Sequence, residues 1–227
     1  MTTHIGFLAF PDVTQLDLTG PAQVLSRVPG ATVHLVWKTL EPVATDAGFA
    51  LVPTQTLETC PPLDVLCVPG GGGVGACMKD EQVLGWLRRQ SEGARYVTSV
   101  CTGSLVLAAA GLLEGYDSAC HWAFRELLTR FGARPVAARV VRDRNRLSGG
   151  GVTAGIDFGL SLAADLSDPE TARMIQLGLE YDPQPPFDCG SPESAGPERV
   201  ARFRERIRPA LAARLALIDE ISASPRG

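Results

Sequence analysis

Ser99-Val100-Cys101-Thr102-Gly103 sets a thiol among small residues, with a β-rich apolar run before it and a helical pattern after it. Small neighbours permit the sharp strand-to-helix turn that projects a nucleophile above a sheet. At a helix start, free N–H groups and the macrodipole favour thiolate over thiol. The pattern predicts a nucleophilic Cys101, against the alternative of a cysteine buried as a small hydrophobe.

Asp17, in Gln15-Leu16-Asp17-Leu18, follows the first apolar run and its stop at Pro11. This reads as a loop beyond the carboxyl end of a strand, where open parallel sheets bind ligands and where Cys101 also lies. A carboxylate beside a thiolate shares a proton with it and can act as acid and base in turn. The other reading is a turn residue whose carboxylate accepts backbone N–H bonds.

His121 lies 20 residues after Cys101 and is one of three histidines. It reads equally as a base for the thiol or as a ring packed beside Trp122. His4 opens the first apolar run and His34 sits within the second, so neither is an evident partner. Pro69-Gly70-Gly71-Gly72-Gly73 lets backbone approach a ligand closely, and no Lys-Ser or Lys-Thr follows to make it a phosphate loop. Thr102, Gly71 and Gly72 offer a hydroxyl and N–H donors to a developing charge.

The elements that must position these groups are legible in outline. Apolar, β-rich runs at 5–10, 33–37, 65–68 and 96–100 alternate with helical patterns. That order predicts an α/β fold, a parallel sheet covered by helices on both faces. Helices are expected to open at Gly20-Pro21, to cover 80–91 and 102–110, and to run over 121–131 with Gly132 as the stop. A strand at 136–142, a turn at Arg144-Asn145 and the glycine loop 149–151 then lead into a helix at 152–166. From Asp182 the composition turns to proline and glycine, which reads as a surface excursion.

Beyond it, Val200, Phe203, Ile207, Leu211, Leu215 and Ile218 form an apolar stripe at helical spacing. Pro209 is expected to kink or split that helix. Six arginines between Arg199 and Arg214 read as a solvated face. The chain is read as one domain over 1–227, with a terminal helix at 197–222 docked on the domain or on a dimer partner.

Composition narrows the function classes. The chain has 227 residues, 45% of them apolar and 20% charged, enough to bury a sizeable core. A net charge of −4 supplies no broad basic field, so nucleic acid is not an expected partner. The first ten residues lack a basic n-region and a cleavage site, and no apolar run reaches membrane-spanning length, so the expected location is the cytoplasm, with no membrane partner. The six cysteines form no C-x-x-C pair and suggest neither a structural metal nor a disulfide framework.

Taken together, the segments 15–21, 62–65, 68–71, 96–105, His121-Trp122 and 149–158 resemble the DJ-1/PfpI superfamily, and within it the isocyanide hydratases. The resemblance implies a flavodoxin-like sandwich with a nucleophile elbow, a homodimer, and hydration of an isocyanide to an N-substituted formamide by water without metal or cofactor. It implies Cys101 as nucleophile forming a thioimidate, Asp17 as proton donor and then base for water, and Thr102 tuning the sulfur or ordering that water. Gly71, Gly72, His121, Trp122 and Val152 are carried over as substrate-binding residues. The chain departs from the family pattern at Cys120, where a threonine is expected before the histidine.

Other functional classes share the scaffold. Glyoxalase-like or deglycase chemistry on aldehydes, or a peptidase-like activity, usually places a glutamate near the cysteine, whereas this loop offers Asp17. A ligand sensor of a transcription regulator needs paired helices that the 44 residues after Pro183 do not show. An exposed low-pKa thiolate at Cys101 would also suit a redox sensor.

Overall fold

The computed structural model describes residues 2–223. In chain order the elements are β1 (Thr3–Leu8), α1 (Gln15–Leu25), β2 (Ala31–Trp37), β3 (Val43–Ala44), β4 (Ala50–Leu51), β5 (Gln55–Thr56), β6 (Val65–Val68), α2 (Val74–Lys79) and α3 (Glu81–Gly93). There follow β7 (Tyr96–Val100), α4 (Gly103–Ala109), β8 (Asp117–Ser118), a 3₁₀ helix (Arg125–Phe131), β9 (Arg134–Pro135), β10 (Val140–Asp143) and β11 (Arg146–Gly149). The chain then enters α5 (Ala154–Leu166), α6 (Pro169–Gly178), α7 (Pro192–Ala195) and α8 (Pro197–Ala223).

Seven strands form one sheet in the order β10-β11-β7-β6-β1-β2-β5. Every pair is parallel except the edge hairpin of β10 and β11. Side chains alternate across it with period two. Ile5, Phe7, Val65 and Cys67 join the apolar cluster that includes Phe158 of α5, while Leu8, Leu66 and Val68 join the one that includes Trp86 of α3 and Leu105 of α4. Both faces are covered, which is why the central runs read as almost continuously apolar. Among the described residues no helix is long and apolar enough to cross a membrane.

Several expected boundaries move. The first helix starts at Gln15 rather than Gly20, so Asp17 sits in its first turn and not in a loop. Pro21 falls inside the helix, where it leaves the Asp17 carbonyl without its usual donor. The expected helix over 121–131 is a turn followed by 3₁₀ helix, ended as anticipated by Gly132 at φ 73°. The expected strand at 136–142 shortens to β10, and its partner β11, which the glycines of 149–151 obscured, lies in the sheet beside β7. α8 runs through Pro209 without a break, and Ile218 at its far end is buried against the core beside α2.

Candidate active site

The strand β7 ends at Val100, and Cys101 follows at φ +56°. A non-glycine residue in this left-handed region is strained, and surrounding contacts hold it there. The Cys101 N–H donates to the Gly149 carbonyl at 2.9 Å, and Ser104 Oγ donates back to the Cys101 carbonyl at 3.1 Å. Gly103 opens α4 where any Cβ would lie 2.0 Å from the Val68 carbonyl oxygen, so the turn closes only on glycine. The elbow read from the sequence is therefore present.

Asp17 is completely buried, and its Oδ2 accepts a hydrogen bond of 2.9 Å from the Gly70 N–H. Its Oδ1 is also buried and has no hydrogen-bond partner among the described residues. Burial pushes the carboxyl up to about 7, against the stabilising Gly70 N–H and the nearby Cys101 thiol, with the Asp46 charge adding to the rise. The Cys101 thiol lies near enough to favour the ionised carboxylate, although no hydrogen bond between the two side chains has good geometry. The structure places Asp17 as an acceptor of a backbone N–H and also near the thiol.

The expected thiolate is not the resting form. Burial first, then the Asp17 charge and Cys120, push the Cys101 thiol well above its ordinary value, and the Thr102 amide and hydroxyl oppose this without prevailing. Cys101 is only 6% exposed, and α4 spans just seven residues. Desolvation therefore outweighs the helix terminus here. A thiolate forms when its proton has a place to go, and the neighbouring carboxylate is such a place.

Thr102 is buried beside both groups, and its Oγ1 accepts a hydrogen bond of 3.2 Å from the Gly71 N–H. The Gly71 N–H is thus engaged and not a free donor to a developing charge. Gly72 is exposed, and a Cβ there would meet only Asp12. The glycine that matters most was not singled out. A Cβ on Gly70 would fall 2.6 Å from Thr102 Oγ1 and 2.8 Å from Asp17 Oδ2. Its only sequence signal was its place in Pro69-Gly70-Gly71 straight after β6.

His121 makes no hydrogen bond to Cys101 among the described residues. Its ring lies 5.8 Å from Trp122, 6.0 Å from Phe124 and 6.1 Å from Phe203 of α8, and its Nδ1 accepts from the Ala123 N–H at 3.3 Å. Burial lowers its pKa and so favours the neutral ring. This is the packed reading of His121, with Trp122 and Phe203 bordering a cavity of about 230 Å³. Residues 121–124, beside α8, form a turn in place of the expected helix. His4 and His34 partner each other, with Nδ1 and Nε2 3.0 Å apart.

Val152 is half-buried in the apolar cluster that contains Cys101. The Cys120 thiol is buried, and burial pushes it up to about 12. It lies in the other apolar cluster, and it adds to the rise of the Cys101 thiol. Among the described residues no group of three or more His, Cys, Asp or Glu is placed to hold a metal ion.

The arrangement pairs a strained, buried thiol with a carboxylic acid that titrates near neutrality. The DJ-1/PfpI family model matches residues 3–165. The chain is 56% identical to the isonitrile hydratase of Pseudomonas putida, over 98% of each chain. It is 45% identical to a ThiJ/PfpI family protein from Pseudomonas syringae of known crystal structure, with a TM-score of 0.90, covering 99% of this chain and 92% of that one. It is also 32% identical to the HTH-type transcriptional regulator GbdR of Pseudomonas aeruginosa, over 78% of this chain but only 50% of the regulator.

Proposed function

The chain belongs to the DJ-1/PfpI family, and from that premise we propose that it is a hydro-lyase that adds water to an isocyanide, R–N≡C, to give the formamide R–NH–CHO. Its likeness along nearly the whole chain to an isonitrile hydratase supports the substrate class. The observation that carries the mechanism is the placement of the Cys101 elbow near the buried Asp17 carboxyl, whose pKa burial pushes up to about 7.

The terminal carbon of an isocyanide is electrophilic towards sulfur and becomes basic once sulfur has added. Cys101 attacks that carbon, and Asp17 delivers its proton to the same carbon, giving the thioimidate R–N=CH–S. A C–S bond and a C–H bond form while one carbon–nitrogen π bond is lost. The Asp17 carboxylate then takes a proton from water, and the oxygen adds to the thioimidate carbon. Collapse expels the sulfur, with one hydrogen of the water ending on nitrogen and the other restoring the single proton of the Cys101–Asp17 pair. The amide and hydroxyl of Thr102 lower the thiol's pKa and so favour the leaving thiolate.

The Gly70 N–H holds the Asp17 carboxyl, and the Gly71 N–H holds the Thr102 hydroxyl, which limits how far either group reorganises. Val152 and the His121, Trp122 and Phe203 rings are proposed to form apolar walls for the R group. A homodimer is part of the same proposal. The test is formamide production from cyclohexyl isocyanide by wild type, Cys101→Ala and Asp17→Asn. Turnover in wild type alone supports the reading; wild-type protein that leaves the isocyanide unchanged overturns it.

A further inference from the structure

The first turn of α1 carries Asp17, yet the usual local cap is missing. Thr14 occupies the cap position and makes no side-chain bond to the helix. The acceptor comes instead from the β3–β4 hairpin. Thr14 Oγ1 donates to Asp46 Oδ2 at 2.7 Å, and the Gln15 N–H donates to Asp46 Oδ1 at 3.4 Å.

Backbone bonds fix this contact from both sides. Asp12 N–H donates to the Ala44 carbonyl at 2.9 Å, and Asp46 N–H donates to the Val13 carbonyl at 3.1 Å. On the opposite edge Val13 bridges to Gly71, and Thr14 N–H donates to the Gly70 carbonyl at 2.9 Å. Gly70 is also the residue whose N–H holds Asp17 Oδ2. One ribbon of three segments thus runs from Asp46 to the hydrogen bond that fixes the acid.

We propose that Asp46 is a positioning residue for Asp17, closing the N-terminus of α1 from the hairpin and setting a negative charge at the edge of the Cys101–Asp17 pair. This rests on the reading of that pair as the reacting groups. The titratable groups that bear on Asp17 are Cys101 from the elbow, Cys67 from β6 and Asp46 from the hairpin. Of these, Asp46 is the exposed one, so its field is the one that salt can screen. Its charge opposes loss of the proton from Asp17.

The test reads the pair without relying on isocyanide chemistry. Alkylation of Cys101 by iodoacetamide is followed against pH in a Cys189→Ser background, which removes the exposed thiol. The probe reports the first proton leaving the pair. Asp46→Asn keeps hydrogen-bonding atoms at the cap and removes the charge, and it should move the inflection to lower pH by roughly 0.3 unit at ~0.01 M salt, a shift that fades towards ~1 M. Asp46→Ala should show the same shift and, if hydration is the reaction, a further fall of about tenfold in kcat/KM from a loosened first turn. Identical inflections in wild type and both variants at low salt overturn the proposal. So does an Asn shift that high salt leaves unchanged. Failure of isocyanide turnover with the alkylation shift intact would instead count against the reaction alone.

Discussion

Asp17 and Gly70 meet through a single hydrogen bond of 2.9 Å from the glycine N–H to Oδ2, and Gly70 has no side chain because that oxygen and Thr102 Oγ1 occupy the space where one would begin. A Cβ at 2.6–2.8 Å from both is closer than real contacts allow, so carboxylate or hydroxyl must move. Gly70→Ala should therefore lose about 10²-fold in kcat, since a displacement near 1 Å is costly where reacting atoms must align. Steady-state kinetics beside far-UV circular dichroism separates this from unfolding. A folded Gly70→Ala protein with full activity would show that the close fit is not needed.

The rate should follow the proton count of the Cys101–Asp17 pair. With two protons the sulfur is a neutral thiol; with one, thiolate and carboxylic acid can coexist as a microstate of the pair. Because Asp17 titrates at about 7 and the thiol well above its ordinary value, the first proton leaves near neutrality. We expect kcat/KM to rise as pH increases through about 7 and to hold until the second proton is lost in alkaline solution. A rate already at its plateau at pH 5 would mean that the pair is singly protonated much earlier.

The same shift has a consequence for stability. Asp17 in the folded chain has a value of about 7 against an ordinary 3.8, so between these the native state keeps a proton that the unfolded chain has released. Folding then takes up a proton, and stability falls with rising pH, with the full benefit present below about pH 4 and lost above about pH 7. At about 1.4 kcal/mol per unit the total is on the order of 4 kcal/mol. Asp17→Asn has no proton to lose. Its Tm should gain on wild type between about pH 5 and about pH 8, and an unchanged gap would indicate that the buried carboxylate ionises without cost.

What the sequence made legible were features written in local pattern. Period-two and continuous apolar runs located β1, β2, β6 and β7, and small residues around Cys101 announced the elbow that its positive φ displays. Asp17 could be matched with Cys101 because both follow parallel strands. The rest depends on partners distant along the chain. The first turn of α1 is capped by Asp46, 31 residues beyond Gln15, so along the sequence Gly20-Pro21 carries the more visible start signal. Nothing in Gly70-Gly71-Gly72 distinguishes the glycine pressed against Asp17 from the one facing solvent. The expected thiolate failed for a related reason, because desolvation is a property of the packed interior and helix position alone does not report it.

His121 supplies the sharpest contrast between a catalytic and a packing role. As a general base it would contribute about 10²- to 10⁴-fold; as one ring in a stack it contributes shape. The ring sits about 6 Å from Phe124 and Phe203 with its Nδ1 occupied by the Ala123 N–H, and burial lowers its pKa. His121→Phe preserves an aromatic ring of similar reach. We therefore expect kcat within about threefold of wild type, with KM changing more than kcat because uniform binding contacts act there. A loss of about 10²-fold in kcat with the fold intact would return His121 to the chemistry, and its ring would then have to swing away from Phe203 towards Cys101 during turnover.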